Sequence, residues 1–575
     1  MAATGVADAS LTTFTIKANG SALSGSFRIE YIDIRRMVNR ISFAEIALLD
    51  GSPEEQNFAV SESAELALGT EIEIDLGYSR TEQRVFKGIL VKQHIQITRG
   101  GQSRLLIYCR DACYRMSLAE RSAHYANSSD SDVMSLIASQ YNIPADVETT
   151  NESHTDLVQM HESDWDFMLQ RAERNGLVVL TQDGQLAIKS VQLESSSGQI
   201  VYGRNVQAAE LQLDAQNQFE ETKASAWASA NQEVEQQDGT ASLDQAGKDS
   251  CAVLAEQAGG KALLLEGDGD LSATTLLNWA NAAAARQQLA KIIGTLTIQG
   301  SHDIDAGSWA ELQGFGARFN GQVYVGGVMH SVSRGNWLTT VQVGLQPQWH
   351  MQQFSNPQRQ QAFHTQTTNL HIAKVVALSD DPDGAERIQV KIMALGDEHE
   401  GVWARLASMD AGSERGWVVR PEIDDEVIVG FIDGDAAQPV VLGSLFSSAN
   451  AAPIAAEDDN HEKGWVTRAG TRFIFNDDKI SLTIETPNGN TFEVSDDKGG
   501  ITLKDENDNS IVLDSNGITM SSASDFNIEA QGDVTIKGLN ITQEAQAQIK
   551  LSGSAGAKLE SGGNTVVKGA LVQIN

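Results

Sequence analysis

At 575 residues the chain has room for several domains with cores of their own. Its 77 acidic and 42 basic residues leave a net charge of -35, which argues against a generic binder of nucleic acid or of anionic membranes, since both need a cationic footprint. Cys109, Cys113 and Cys251 are too few for a disulfide framework, the opening MAATGVADAS lacks the features of a secretory signal, and no apolar run approaches the ~20 residues that span a bilayer. Synthesis in a reducing cytoplasm without a signal peptide is therefore expected, with any export left to another system.

Residues from about 10 to 110 read as β. In EIEIDLGY, Ile72, Ile74 and Leu76 alternate with acids, the period of a strand with one buried face. Two helices follow. SDVMSLIASQY places Val133, Ile137 and Tyr141 on one face. HESDWDFMLQRAERNG has Ser163 as N-cap, a stripe of Trp165, Met168, Leu169 and Ala172, and a stop at Asn175-Gly176. Residues 205–270 hold 13 acids against 3 bases and are expected to form an exposed insertion. A helix over SATTLLNWANAAAARQQLAKIIG should stop at Gly294, and a second β segment runs to about 345. This order suggests two barrel-like β units with helical material between them, a domain of residues 1–365 ending in a polar linker over about 352–366. Five short apolar runs with Gly/Pro turns then fill 366–450, which suits a small closed barrel such as an OB-fold. Residues 451–489 read as a connector.

From 490 to 575 short apolar triplets alternate with turns. Ile518, Phe526, Val534, Ile541 and Ile549 recur every seven or eight residues, and Ile528, Ile536 and Leu551 add a second apolar position two along. Each unit is a strand of about five residues with a turn of about three. A lone β-solenoid of this length would have a thin core and open ends. Three identical chains wound together would close the edges and fill a triangular core from these eight residues. A single-chain β-helix or a sandwich is the plainer alternative. At the end of such a prism Val566, Leu571, Val572, Ile574 and Asn575 would present a blunt apolar apex that calls for a cover.

The barrel region carries a longer motif. A D-P-D-G turn (Asp381, Pro382, Asp383, Gly384) precedes a strand with Trp403 and Arg405. A segment from Pro421 through Glu426 and Val427 follows, then Gly434, Asp435, Pro439, Gly443 and Ser444. This series resembles the OB-fold domain of the VgrG spike proteins of contractile injection systems, with Asp424 standing where that family usually has glycine. The rest of the chain is similar in order to the same family. The resemblance implies a mainly β homotrimer: a tail-hub domain of two barrels, an OB-fold neck, and an intertwined triple-stranded β-helical needle. It also implies a hexameric Hcp-like tube ring and baseplate proteins as partners, a PAAR-repeat tip protein on the apex, effector cargo, and a target membrane pierced on firing.

Other chemistry reads weakly. Cys109 and Cys113 have no second pair at metal-ligand spacing and are read as ordinary partly buried thiols. The acidic SDDPDGAE and EIDDE lack the spacing of a calcium loop, and the last histidine, His461, excludes a histidine-ligated tip. His154 and His161 are read as solvated. Trp403 and Trp417 on an OB-fold would suit an oligonucleotide, but the charge opposes it, and Trp403 is expected in the core or a subunit interface. No catalytic residue, metal or cofactor is expected. The particle would be assembled in the cytoplasm and released on firing. The alternatives are a prophage tail hub-spike and a carbohydrate-binding or adhesive β-helix. The latter would line a groove with aromatic residues, whereas the tail has Phe492 and Phe526 alone.

Overall fold

A computed structural model describes residues 11–267, 269–350, 369–396 and 399–574. Among them the chain forms 35 strands and four α-helices, numbered here along the chain, in two compact units that divide after Phe446. The linker expected over 352–366 lies outside the described residues.

The first unit is built on a 13-stranded sheet. Its N-terminal part comprises β1 (Thr12–Ala18), β3 (Ile29–Met37), β4 (Phe43–Leu49), β5 (Glu71–Tyr78), β6 (Thr81–Ile97) and β7 (Ser103–Arg110). The alternation read in β5 is realised: Ile72, Ile74 and Leu76 are fully buried against Ile32, Ile46 and Leu105. The second β segment supplies β18 (Ile292–Gln299), β20 (Gly321–Ser333) and β21 (Asn336–Val343). The two β units are not separate sheets. β20 pairs antiparallel with β3, Val332 opposite Ile32, so one sheet curves over two cores, the other centred on Leu296, Val325 and Val341.

Helices α1 (Asp130–Gln140) and α2 (Asp164–Arg174) pack beside the long antiparallel pair of β8 (Glu120–Ser129) and β10 (Ser153–Ser163), which α1 itself separates along the chain. Ser163 caps α2 by accepting the Asp166 N–H, and Gly176 ends it with φ 70°. Trp165, Met168, Leu169 and Ala172 are buried together with Phe167.

Two readings of the middle of the chain are corrected. The acidic stretch 205–270 is not a simple insertion. β14 (Val206–Leu213) is hydrogen-bonded to β18 in the main sheet, and β15 (Glu221–Ala228), β16 (Glu233–Asp238) and β17 (Ala262–Gly267) form a small sheet under α4 (Ala273–Ala290). The acids stand on the outer faces while Ala224 and Ala226 turn inward. Nor does Gly294 stop α4. The helix ends at Ala290, because Lys291, 2% exposed, is drawn inward to the Asp244 carboxylate and to the carbonyls of Ala246 and Asp249. Gly294 lies within β18, where a Cβ would stand 2.0 Å from the Glu210 carbonyl oxygen of β14.

The five runs after residue 370 form a closed barrel in the order β22 (His371–Ala377), β23 (Ile388–Ile392), β24 (Val402–Leu406), β28 (Pro439–Ser444), β27 (Glu426–Phe431). Its core includes Val375, Val390, Val402 and Val429, and also Val158 and Met160, which β10 sends in from the hub.

The second unit opens as an antiparallel meander of seven five-residue strands, β29 (Glu462–Val466), β30 (Arg472–Asn476), β31 (Ser481–Glu485), β32 (Thr491–Ser495), β33 (Gly500–Lys504), β34 (Ser510–Asp514) and β35 (Gly517–Ser521). The repeat thus begins upstream of 490, inside the segment read as a connector. Residues 522–574 carry no strand of their own.

Candidate functional site

The sites expected from the barrel motif are turns and seams. Asp381 organises the D-P-D-G turn: its carboxylate accepts the N–H groups of Asp383, Ala385 and Arg387 and pairs with the Arg387 guanidinium at 2.6 Å. Burial opposes its ionisation, but these donors hold the carboxyl down to about 2. Pro382 is exposed and Gly384 takes φ 62°. Asp424 takes φ 74°, the conformation for which glycine is usual, and pairs with Lys374 at 2.8 Å. Pro421 and Pro439 are buried, Glu426 opens β27, and Gly443 lies in β28. Gly434, with φ 72°, and Asp435, which accepts the Ala437 N–H, make the turn between β27 and β28.

Trp403 is half-buried on the outside of the barrel, not in its core, and Arg405 is exposed. Both face a cavity of about 790 Å³ between barrel and hub, together with Arg171, Arg174, Arg387 and Gln438. His154, read as solvated, instead contacts Asp130 at 3.4 Å and Arg171 at 3.3 Å. Cys109 and Cys113 are fully buried, and burial pushes both thiols up, so neither is a thiolate at neutral pH.

The distinctive surface is in the second unit. Residues directly opposed on neighbouring strands share a face. One row across the meander reads Trp465, Phe473, Ile484, Phe492, Leu503, Ile511, Met520. The parallel row two residues along reads Phe475, Leu482, Val494, Ile501, Leu513, Ile518. These thirteen apolar side chains make one face of the sheet, while the reverse face carries Ile474, Thr483, Glu493, Thr502, Val512 and Thr519. Phe475, Leu503, Ile518 and Met520 are 46, 41, 67 and 57% exposed.

The tail continues the pattern without a sheet. Phe526, Ile528, Val534, Ile536, Ile541, Ile549 and Leu551 are all more than half exposed. At the end Val566, Leu571 and Ile574 are more than four-fifths exposed and Val572 about half; Asn575 lies outside the described residues. A single chain therefore brings none of the expected needle-core residues into a core. Trp465, Phe473, Phe475, Leu482 and Ile484 belong to the same apolar face and were missed by reading 451–489 as a connector. The signal was available in their period-2 alternation, W-V…R-F-I-F…S-L-T-I.

Comparison with known proteins matches this architecture segment by segment. Residues 8–334 match the Alg8 N-terminal domain, more than half of the chain. Residues 371–446 match the type VI secretion system/phage-baseplate injector OB domain, and 481–575 the phage baseplate V C-terminal trimerisation domain. The chain belongs to the Alg8 N-terminal domain family, and its OB and C-terminal segments make it similar to VgrG-type spike proteins. Among curated relatives, the type VI secretion spike protein VgrG3 of Vibrio cholerae is 37% identical over 75 residues, 13% of this chain and 7% of that protein. VgrG2a of Pseudomonas aeruginosa is 40% identical over 62 residues, 11% of this chain and 7% of that protein. The matched segments thus span 7% of the length of both relatives. In fold, the chain is similar to a solved Francisella PdpA-VgrG complex chain in its lidded form. The TM-score is 0.53 and the identity 12%, over 89% of this chain and 81% of that one.

Proposed function

We propose that this VgrG-type spike works mechanically, as a homotrimer that links a hexameric Hcp-like tube ring and baseplate to a membrane-piercing needle. The needle carries a PAAR-repeat protein and payload at its tip. The carrying observation is the apolar face of β29–β35, of which Trp465, Phe475, Leu503, Ile518 and Met520 stay exposed in a single chain, and its strandless, exposed continuation. Burying those five together with Phe526, Ile528, Val534, Ile536, Ile541, Ile549 and Leu551 stabilises by on the order of 10–20 kcal/mol per chain. That matches or exceeds the association cost of about 4–15 kcal/mol. The match of 481–575 to a trimerisation domain supports three copies. Assembly of the wound needle would pair the backbone of 522–574 between chains and leave Val566, Leu571, Val572 and Ile574 at the apex as the docking surface. Such a chain is made in the cytoplasm and leaves the cell within the particle. A prophage tail hub-spike shares these mechanics and differs in assembly context.

Native mass spectrometry should give three times the 61.9 kDa chain mass, and a stable monomer would overturn the reading. Deleting Leu571 to Asn575 should keep the trimer while abolishing capture of a purified PAAR-repeat protein. Unchanged capture would remove the apex as the docking surface.

A further inference from the structure

The hub meets the OB barrel through the paired strands β8 and β10 and through the Asp270 carbonyl, which accepts from Gln438 Nε2 at 3.1 Å. β10 places Val158 and Met160, 8 and 3% exposed, in the barrel core, and a bulge after Gln159 sets His161 at φ 50°. Histidines flank this contact on both sides. On one side His124 of β8 and His399, in the loop before β24, stand edge to face with ring centroids 5.8 Å apart. The Asp156 carboxylate is committed twice there: it accepts from His124 Nε2 at 2.7 Å and from the Trp403 backbone N–H at 3.2 Å. His399 Nε2 donates to the Ile392 carbonyl at 3.2 Å, and its Nδ1 is buried with no hydrogen-bond partner among the described residues. On the other side His371 of β22 lies edge-on to Phe431 at 5.4 Å, its Nε2 likewise buried without a partner.

A buried nitrogen without a partner needs a physical account. As the lone pair of a neutral imidazole it costs little. As the N–H of an imidazolium it would lack an acceptor among the described residues. The groups facing His399 are His124 from β8, Asp156 from β10 and Lys391 from β23, and the carboxylate among them is already in use. His371 faces His161 from the bulge of β10. Burial holds both imidazoles below the ordinary histidine range, and for His399 it prevails over the opposing pull of the Ile392 carbonyl and Asp156.

We propose that the seam between hub and OB barrel is an acid-operated hinge, closed while His399 and His371 are neutral and released from β10 when they take up protons. Both groups bind a proton more readily in the open seam than in the closed one. The closed form is therefore fully favoured above the free-imidazole value of about 6.5 and is lost progressively as the pH falls below it. Released, the barrel pivots about the hub and exposes Val158 and Met160, a response fitted to a particle that meets an acidic compartment.

The test is amide hydrogen exchange on the full-length assembly at about pH 7.5 and about pH 5.5, corrected for intrinsic rates. The peptides compared cover 153–163 and 399–406 at the seam and 321–343 in the hub sheet. Seam protection should fall by roughly tenfold per pH unit below about 6.5 for each proton taken up, while the hub peptide stays protected. His399→Gln with His371→Gln removes both titrating rings, and the first of these changes leaves an amide donor for the Ile392 carbonyl. That variant should hold its seam protection at the lower pH. Equal seam protection of the unaltered chain at both pH values, equal loss at seam and hub, or opening of the variant in parallel with the unaltered chain would each overturn the hinge.

Discussion

Asp381 shows how one carboxylate fixes a loop that the sequence marks only as D-P-D-G. It gathers three backbone N–H groups and the Arg387 guanidinium, and both partners are largely withdrawn from water, with side-chain exposures of 8 and 17%. Charge-assisted bonds of this kind are worth about 1.5–3 kcal/mol each. Asp381→Asn keeps a single acceptor oxygen and turns an amide toward a guanidinium. It should lower the stability of the first unit by about 1.5–3 kcal/mol in denaturant titrations at neutral pH. Because the folded carboxyl is held down to about 2, its contribution is present above the unfolded value of about 3.9 and lost as the pH falls toward 2. The difference between variant and parent should therefore shrink across that window. A difference independent of pH would mean that the turn is held by backbone geometry and not by the charge.

At the level of elements, what was legible in the sequence is what is decided locally. Helix α2 carries its own cap, stripe and stop within a dozen residues, and the OB strands carry alternation bounded by turns. What escaped was decided by a distant partner. Gly294 looks like a helix stop, yet it is required because β14, some eighty residues earlier, passes directly over it. β14 itself looks like part of an acidic insertion because its outer face carries Glu210 while pairing with β18 fixes its place. Val158 and Met160 alternate like any hub strand, and nothing nearby says that they fill the core of a barrel two hundred residues later. Gly294→Ala would force a methyl against the Glu210 carbonyl, and overpacking of this kind costs about 1–3 kcal/mol. Amides of 206–213 should lose exchange protection while those of β21 keep it. Retention of both would show that β14 shifts to accommodate the side chain.

For the whole molecule the decisive opposition is between the apolar face of the second unit and the charge of the chain. Residues 447–575 carry 19 acidic against 10 basic residues, so each copy brings -9 of the chain's -35 to the needle, and assembling three concentrates like charge there. In the proposed trimer the apolar term should win, because burying the exposed members of that face and of the tail outweighs repulsion between surface charges, which salt screens over a Debye length of about 8 Å at physiological strength. The same charge discourages the exposed edges of separate particles from pairing. This balance predicts the sign of the salt effect. Raising sodium chloride from about 0.02 M to about 0.5 M should increase the trimer's melting temperature and slow subunit exchange, since screening weakens the repulsion and leaves apolar burial intact. Interchain ion pairs as the main adhesive would give the opposite slope. Thermal melting followed by native mass at both salt levels distinguishes the two, and a melting temperature that falls with salt would replace the apolar needle core with an electrostatic one.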